Sequence, residues 1–415
     1  MLVKAVSKYF SNYKGFSREV WILAIITFVN RAGTMVLPFL SKYLKENLHF
    51  SFSDVGWIMV FFGLGSMLGS YLGGKFTDKI GFYRIMIFSL FTSGVMFIFI
   101  QFVQSFWGLC FAMFAIMTVA DMFRPAMFVS IGTYATPETR VRAFTLVRLA
   151  VNLGFATGPA IGGLIIMNLG YDGLFWIDGM TCILAISIFA MLVKEKEKLP
   201  TNIAIKNDDA PTKSMTSDTD FLWFLFVCFA SAMIFFQIFT TLPLYHSHKY
   251  GLTEFQTGLL MTMNGGIIFL VEMPLVSVFE RAKTNKLKIV FWGAIMMGLS
   301  FLILLIGQWV GLLVISMLLI TVGEMFIFPF SNSYALSRAP RGQEGKYMAF
   351  FTMSFSLAHI GSSKVGMDII SIYGYDTNWI FMSFLGLLAT IVCWFLIKKS
   401  KPFSVVSNTE LPSRQ

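Results

Sequence analysis

Long apolar runs separated by short polar breaks organise the whole chain. Mostly apolar stretches of about twenty residues recur near 19–40, 54–74, 82–101, 105–131, 143–168, 174–193, 220–245, 255–279, 286–307, 309–335, 347–371 and 378–397. As α-helices, each is long enough to cross a hydrocarbon core of roughly 30 Å. Their residues do not alternate between apolar and polar, as barrel strands do over about ten positions. They are apolar all round, which in lipid suits only a helix, whose backbone bonds are internal. The pattern therefore predicts an all-α membrane protein with about twelve transmembrane helices. The first run is long and lacks a small-residue cleavage site, so a retained helix is expected rather than a signal peptide.

One polar break is much longer than the others. LVKEKEKLP followed by NDDAPTKSMTSDTD occupies the region from Lys194 to Asp220 and divides the runs six and six. Such composition cannot bury enough apolar surface to order itself, and a mobile linker is expected over 194–219. It joins an N-terminal six-helix bundle, 1–193, to a C-terminal one, 220–399, with a tail at 400–415. The halves also resemble each other. DMFRPAMFVSIGTYATP at 121–137 aligns with EMFIFPFSNSYALSRAP at 324–340, and Gly170-Tyr171-Asp172 recurs as Gly374-Tyr375-Asp376. Leu37-Pro38 recurs as Leu242-Pro243, and Asp78-Lys79 is answered by Glu280-Arg281. These offsets fall between 202 and 205 residues, a spacing that chance apolar composition would not keep in step. Two repeated bundles that rock about a midplane site are the architecture of alternating access.

Composition agrees with a lipid environment: 56% of residues are hydrophobic and 13% charged. The net charge of +10 raises the question of nucleic acid, which the distribution of the charge answers. With both termini inside, the basic residues gather in the cytoplasmic segments, from Lys4, Lys8, Lys14 and Arg18 to Lys398, Lys399, Lys401 and Arg414. Only Lys42, Lys45 and Lys249 then lie outside. The expected protein is thus a multi-pass plasma-membrane protein, in a bacterium of the inner membrane, and no nucleic-acid partner is expected. Cys110, Cys182, Cys228 and Cys393 all lie in apolar runs at spacings unsuited to a metal site, and read as small core residues. His246 and His248 fall in an external loop, where a solvated role is expected over a metal site. There is no GxxxxGK[ST] loop, no HExxH and no exposed serine elbow, so an enzyme or nucleotide-driven pump is not expected. No cofactor is expected either.

Gly69-Ser-Tyr-Leu-Gly-Gly-Lys-Phe-Thr-Asp78-Lys79-Ile-Gly81-Phe-Tyr-Arg84 follows the second run. Gly74, Asp78, Lys79 and Gly81, with Arg84, resemble the loop signature of the major facilitator superfamily. Phe82-Tyr83 departs from it where the family usually has basic residues. The glycines permit a tight turn and close packing, and the charges can form a cluster that breaks when the bundles rock. In the fifth run, Gly154-Phe-Ala-Thr-Gly158-Pro159-Ala-Ile-Gly162-Gly163 resembles the glycine-proline signature of that family's drug/proton antiporters. The small residues make a flat packing face, and Pro159 removes a backbone hydrogen bond. A generic packing seam would use the same residues. Asn30-Arg31-Ala-Gly-Thr-Met-Val-Leu-Pro38 in the first run is similar to bacterial multidrug exporters. The resemblance implies two six-helix bundles acting as a monomer on a small molecule and protons.

Ionisable residues inside the runs are the sharpest pointers to function, since each costs several kcal/mol in the bilayer unless paired or hydrated. Asp121 and Arg124 are three apart, share a helix face and can pair, so a structural role is as well supported as transport. Glu324 holds the repeat-equivalent place and has no basic residue three or four positions on. A carboxyl kept from water and from any fixed basic partner binds a proton readily, as a proton carrier must. Glu324 is therefore the first coupling candidate, followed by Glu272 and Asp121. Arg31 and Arg148 can offer charge to substrate or to these acids, although Arg148 also reads as a snorkelling residue. Lys364 and Asp368, four apart, most simply neutralise each other. The 46 Phe and 26 Met supply material for an adaptable apolar pocket. These features together predict a proton-coupled exporter of small amphipathic or lipophilic compounds, with an uptake symporter for a sugar, peptide or organic acid as the alternative.

Overall fold

The protein is described here by a computed structural model covering residues 15–33, 35–136, 140–195, 218–340 and 344–399. Most of the expected linker, the 400–415 tail and the side chains of Asp78, Arg140 and Arg142 lie outside that description. Among the described residues there is no strand. In the first half α1 spans Arg18–Gly33, α2 Val36–Lys42, α3 Phe52–Ile80, α4 Phe82–Phe99, α5 Phe106–Ala120, α6 Phe123–Tyr134 and α7 Arg140–Leu192. In the second, α8 spans Thr219–Phe236, α9 Leu242–Tyr250, α10 Glu254–Arg281, α11 Lys286–Leu302, α12 Gly311–Arg338, α13 Glu344–Tyr373 and α14 Tyr375–Lys399.

Ten of these segments are long and apolar enough to cross a membrane. One of them, Leu146–Leu192, runs 47 residues, about 70 Å at 1.5 Å per residue and twice the depth of a hydrocarbon core. It breaks at Gly170, whose φ of 70° and ψ of −175° reverse the chain between two crossings. The 30 residues of α13 are long enough for another crossing, but Lys364, Asp368 and His359 reduce its apolar character. Counted this way, the crossings number the twelve that the sequence pattern predicts. Large apolar side chains such as Leu270, Val278, Phe99, Phe111 and Leu387 stay exposed on the outer faces. In water such a continuous apolar surface would aggregate; in lipid it is the solvent-facing side.

Turns between crossings are short and chemically specified. Ser51 caps α3 by accepting from the Asp54 N–H, while the Asp54 carboxylate accepts from the Ser51 N–H, satisfying two helix-end donors. Gly81, at φ 97°, is the lone residue between α3 and α4, and Gly374, at φ 85°, the lone residue between α13 and α14. Both adopt backbone that disfavours any side chain. The first crossing of each half is interrupted at matching places. α1 gives way to α2 after Gly33, and α8 to α9 between Gln237 and Thr241.

Each half has its own core. One buried cluster draws only on residues from Phe221 to Leu396, centred on Trp379, Phe301 and Tyr245. Two others are built from residues 20–193, apart from Leu244 and Met367. The halves meet along two seams, α7 against α10 and α3 against α13. The end of the bundle bearing Arg18, Arg84, Lys194, Arg338 and Lys399 is called the basic end below. At the opposite end, polar contacts cross from half to half. Ser41 Oγ donates to the Thr240 carbonyl at 2.7 Å, and Lys42 Nζ lies 2.9 Å from Glu254 Oε1. Glu46 Oε1 lies 3.4 Å from His248 Nε2, and Lys364 Nζ donates to Ser53 Oγ at 3.0 Å. At the tips of the basic end, by contrast, three described ion pairs stay within one half: Arg84 with Glu195, Arg338 with Asp218, and Lys399 with Asp220. Nor do α6 and α12 pack along each other there. Polar contacts between the halves are thus concentrated at the opposite end, with the Arg148–Glu272 pair the described ion pair that crosses toward the basic end.

Candidate functional site

Between the halves lies a cavity of about 380 Å³ to which both contribute. Its charged and polar lining comprises Asp121, Asp178, Glu324, Arg31, Arg124 and His359, with the amides Asn152 and Asn264. Phe62, Phe155, Phe235, Phe236, Phe239 and Phe355 supply most of the apolar wall, with Met113, Met117 and Met261. Flexible thioethers and aromatic faces around a few polar groups suit a ligand that is largely apolar.

Glu324 faces this space from the middle of α12. Asn264 on α10 holds it: the Asn264 Nδ2 donates to Glu324 Oε2 at 3.2 Å and to Thr321 Oγ1 at 2.9 Å. The donor is a neutral amide, and no basic group within ion-pair distance of Glu324 is found among the described residues. The acid can therefore gain or lose a proton without breaking a salt bridge.

Asp121, its repeat counterpart, sits differently. It caps α5 at the corner with α6, where Ser66 Oγ donates to its Oδ2 and Arg124 Nη2 lies 3.7 Å from its Oδ1. This carboxylate is compensated within its own half. Arg31 lines the cavity with its guanidinium 5.7 Å above the Phe155 ring, a cation–π arrangement. Asn30, one position earlier, donates to Cys182 Sγ at 3.9 Å and does not line the cavity. Glu272 and Arg148 pair with each other across the α7–α10 seam, also outside the cavity. Three of the sequence-predicted charged residues, Arg31, Asp121 and Arg124, are thus brought together with Glu324 around one space, and Glu272 with Arg148 is not.

The glycines of α7 show why the cavity has two movable walls. A Cβ on Gly154, Gly158 or Gly162 would meet Arg31 Cβ at 2.5 Å, the Ala32 carbonyl at 2.9 Å or Met35 Cβ at 2.9 Å, all on α1 or just after it. Gly163 points the other way, with a virtual Cβ 2.6 Å from Phe255 Cα on α10. On α10, a Cβ on Gly258 would meet the Pro159 carbonyl at 2.3 Å and one on Gly265 the Ala156 Cα at 2.7 Å. One face of α7 therefore packs on its own half and another on the other half. In the loop signature, Gly81 is required by its φ, Gly74 has open space around it, and Arg84 pairs with Glu195 at 3.3 Å on the surface.

Asp178 is the lining acid that the sequence pattern did not bring forward. It lies in the 174–193 run, four residues from its start, where an acid reads as interfacial; the Gly170 corner carries it inward. A signal was present in its depth relative to Gly170, because eight helical residues cover about 12 Å.

Comparison with known proteins agrees with this arrangement. The family model described as Major Facilitator Superfamily matches residues 23–363. Multidrug resistance protein 1 of Bacillus subtilis is 23% identical over 84% of this chain and 87% of its own. The Na(+), Li(+), K(+)/H(+) antiporter of Planococcus maritimus is 20% identical over 88% of this chain and 92% of its own. A POT family transporter solved with 5-aminolevulinic acid superposes with a TM-score of 0.75 at 18% identity, covering 93% of this chain and 97% of that one; at that identity the likeness is one of fold. Paired helical bundles, a polar cavity between them and a family match over most of the sequence lead to one conclusion: the chain belongs to the major facilitator superfamily, a family of transporters.

Proposed function

We propose that the protein is a proton-coupled secondary transporter that exports small amphipathic or lipophilic compounds, with Glu324 carrying the coupled proton. The observation that carries this reading is the placement of Glu324 on the cavity wall with a neutral amide as partner. Residues 1–193 and 220–399 move as the two bundles, joined by 194–219. The termini and the basic end face the cytoplasm, as the lysine and arginine distribution favours, and the cavity is then reached from that side. A largely aromatic wall accepts an apolar compound from the cytoplasm. Protonation of Glu324 from outside and substrate occupancy compete for the same space, so that one leaves as the other binds. The relatives named as a multidrug resistance protein and a cation/proton antiporter support export by exchange.

The test is transport by the purified protein in proteoliposomes carrying an imposed pH gradient, with ethidium and rhodamine as fluorescent probes and a sugar and peptide panel beside them. Glu324→Gln is expected to abolish gradient-driven transport of any accepted probe while leaving the melting profile unchanged. Full activity of that variant removes Glu324 from the mechanism.

A second reading has its own observation. Arg31 and Arg124 both line the cavity, and two guanidinium groups there suit an anionic nutrient taken up with protons. Vesicles of known orientation separate the two: a symported substrate and an antiported one shift the lumenal pH in opposite directions.

A further inference from the structure

Asp178 is buried to 1% exposure and lines the cavity. Neither of its oxygens has a hydrogen-bond partner. The backbone N–H of Val36, at the start of α2, is directed at the carboxyl as a loose donor. Of the charged or titratable groups on its own element and on the neighbouring α1, Cys182 on α7 and Arg31 on α1 come near the same space. Neither lies within ion-pair or hydrogen-bond distance of its oxygens. Across the cavity stand Asp121, Arg124, Glu324 and His359. Beyond that one N–H, a carboxylate ion in such a place has no fixed counter-charge.

The second half treats the break in its own first crossing differently. Where α8 breaks, Gln237 fills the gap, with its Nε2 donating to the Ser362 carbonyl at 3.0 Å and to Ser362 Oγ at 2.8 Å. Asn378, on the last crossing, donates its Nδ2 to Gln237 Oε1 at 3.1 Å. Neutral amides thus tie the interrupted helix to α13 and α14. In the first half, the last crossing presents a carboxyl to the break between α1 and α2, and no amide network receives it. By the 204-residue offset of the Gly170 and Gly374 corners, Asp178 answers to the apolar Met382, so packing at that place does not by itself call for an acid.

Resting on the reading of the chain as proton-coupled, we propose that Asp178 is a second proton-carrying carboxyl, giving each half one such acid, Asp178 in the first and Glu324 in the second. In its neutral form Asp178 tolerates the dry site. When the bundles part and the cavity hydrates, the carboxyl releases its proton to water and becomes a carboxylate; the reverse step reloads it. No bond other than O–H is made or broken. The coupled cycle then moves protons on two carboxyls, one in each wall of the cavity.

Infrared difference spectroscopy of the full-length protein in lipid, titrated through neutral pH, reads this directly from the carbonyl stretch of protonated carboxyls. Wild type is expected to lose two such bands as the pH rises. Asp178→Asn, a neutral side chain of the same shape, is expected to lack one of them and to release half as many protons in weak buffer; Asp178→Glu is expected to shift that band. A spectrum of Asp178→Asn identical to wild type overturns the proposal. Should Asp178→Asn not assemble, carbodiimide labelling of wild type decides: modification of Asp178 at neutral pH that falls away in alkali supports it, and an unmodified Asp178 overturns it. Loss of a band in Glu324→Gln alone sinks only the second site, whereas loss in Asp178→Asn alone sinks only the role of Glu324.

Discussion

Two ion pairs show how differently a charge behaves according to where it sits. Arg148 and Glu272 join α7 to α10, with the acid largely buried and the guanidinium half exposed. Removing one member of a fully buried pair costs about 3–5 kcal/mol, and exposure of the guanidinium brings the expected loss nearer 1–2 kcal/mol. Glu272→Gln should therefore lower the melting temperature in detergent, and adding Arg148→Gln should recover part of it. At the basic end, Asp218 caps α8 and accepts from Arg338 Nε at 2.9 Å and from Arg338 Nη2 at 2.6 Å. Partial burial pushes its carboxyl up, but the hydrogen bonds from Arg338, the Phe221 N–H and Tyr347 outweigh it and hold the group below the usual carboxylate range. A depressed value means the folded form holds its proton less tightly than the unfolded chain. The stabilisation is thus present above the ordinary carboxylate range and is lost as pH falls through the depressed value. Asp218→Asn is expected to destabilise the protein at neutral pH and to match wild type in strong acid, as melting curves across pH would show. Which acids are compensated could be read only in part from sequence. The three-residue spacing of Asp121 and Arg124 announced a local pair, whereas the Glu272–Arg148 pair and the isolation of Asp178 depend on neighbours more than a hundred residues away.

Helices were legible where helix and lipid impose the same pattern, and less so where two crossings run together. The twelve runs and the 202–205 offset carried the architecture because a span needs about twenty apolar residues whatever its neighbours. The 168–174 break was legible too, through Gly170. What the sequence did not disclose was the two-sidedness of α7: glycines at 154, 158 and 162 suggested one packing face, while Pro159 and Gly163 meet Gly258 and Phe255 on the other bundle. Gly258 and Gly265 escaped notice because their seven-residue spacing is not that of a short glycine motif. Gly258→Ala puts a methyl 2.3 Å from the Pro159 carbonyl, a backbone atom that cannot swing away. Overpacking of this kind costs about 1–3 kcal/mol. The expected result is a lower melting temperature together with slower transport, because the same seam must slide when the bundles rock; a variant that melts lower yet transports normally would separate the seam from the motion.

For the whole molecule, the contrast between its two ends sets the conformational equilibrium. Lys42 is buried and touches both Glu254 on the other half, at 2.9 Å, and Glu46 on its own, at 3.6 Å. Lys42→Met removes the charge but keeps much of the stem. A latch worth about 1–2 kcal/mol shifts a two-state balance roughly 5- to 30-fold. Spin labels at the opposite-end tips of α3 and α13 should then report a longer distance in Lys42→Met than in wild type; an unchanged distribution would show that the latch does not hold the bundle shut. The corners at Gly170 and Gly374 bear on the same motion. Each reverses the chain with a single residue in left-handed backbone, and they stand 204 positions apart in the sequence. A hairpin that short has no slack to spool out, so the fifth crossing must carry the sixth with it, and the eleventh the twelfth, as one stiff lever. Epitope tags or protease sites inserted at either corner would splay those levers, which makes the corners poor places for a reporter and good ones for jamming the machine.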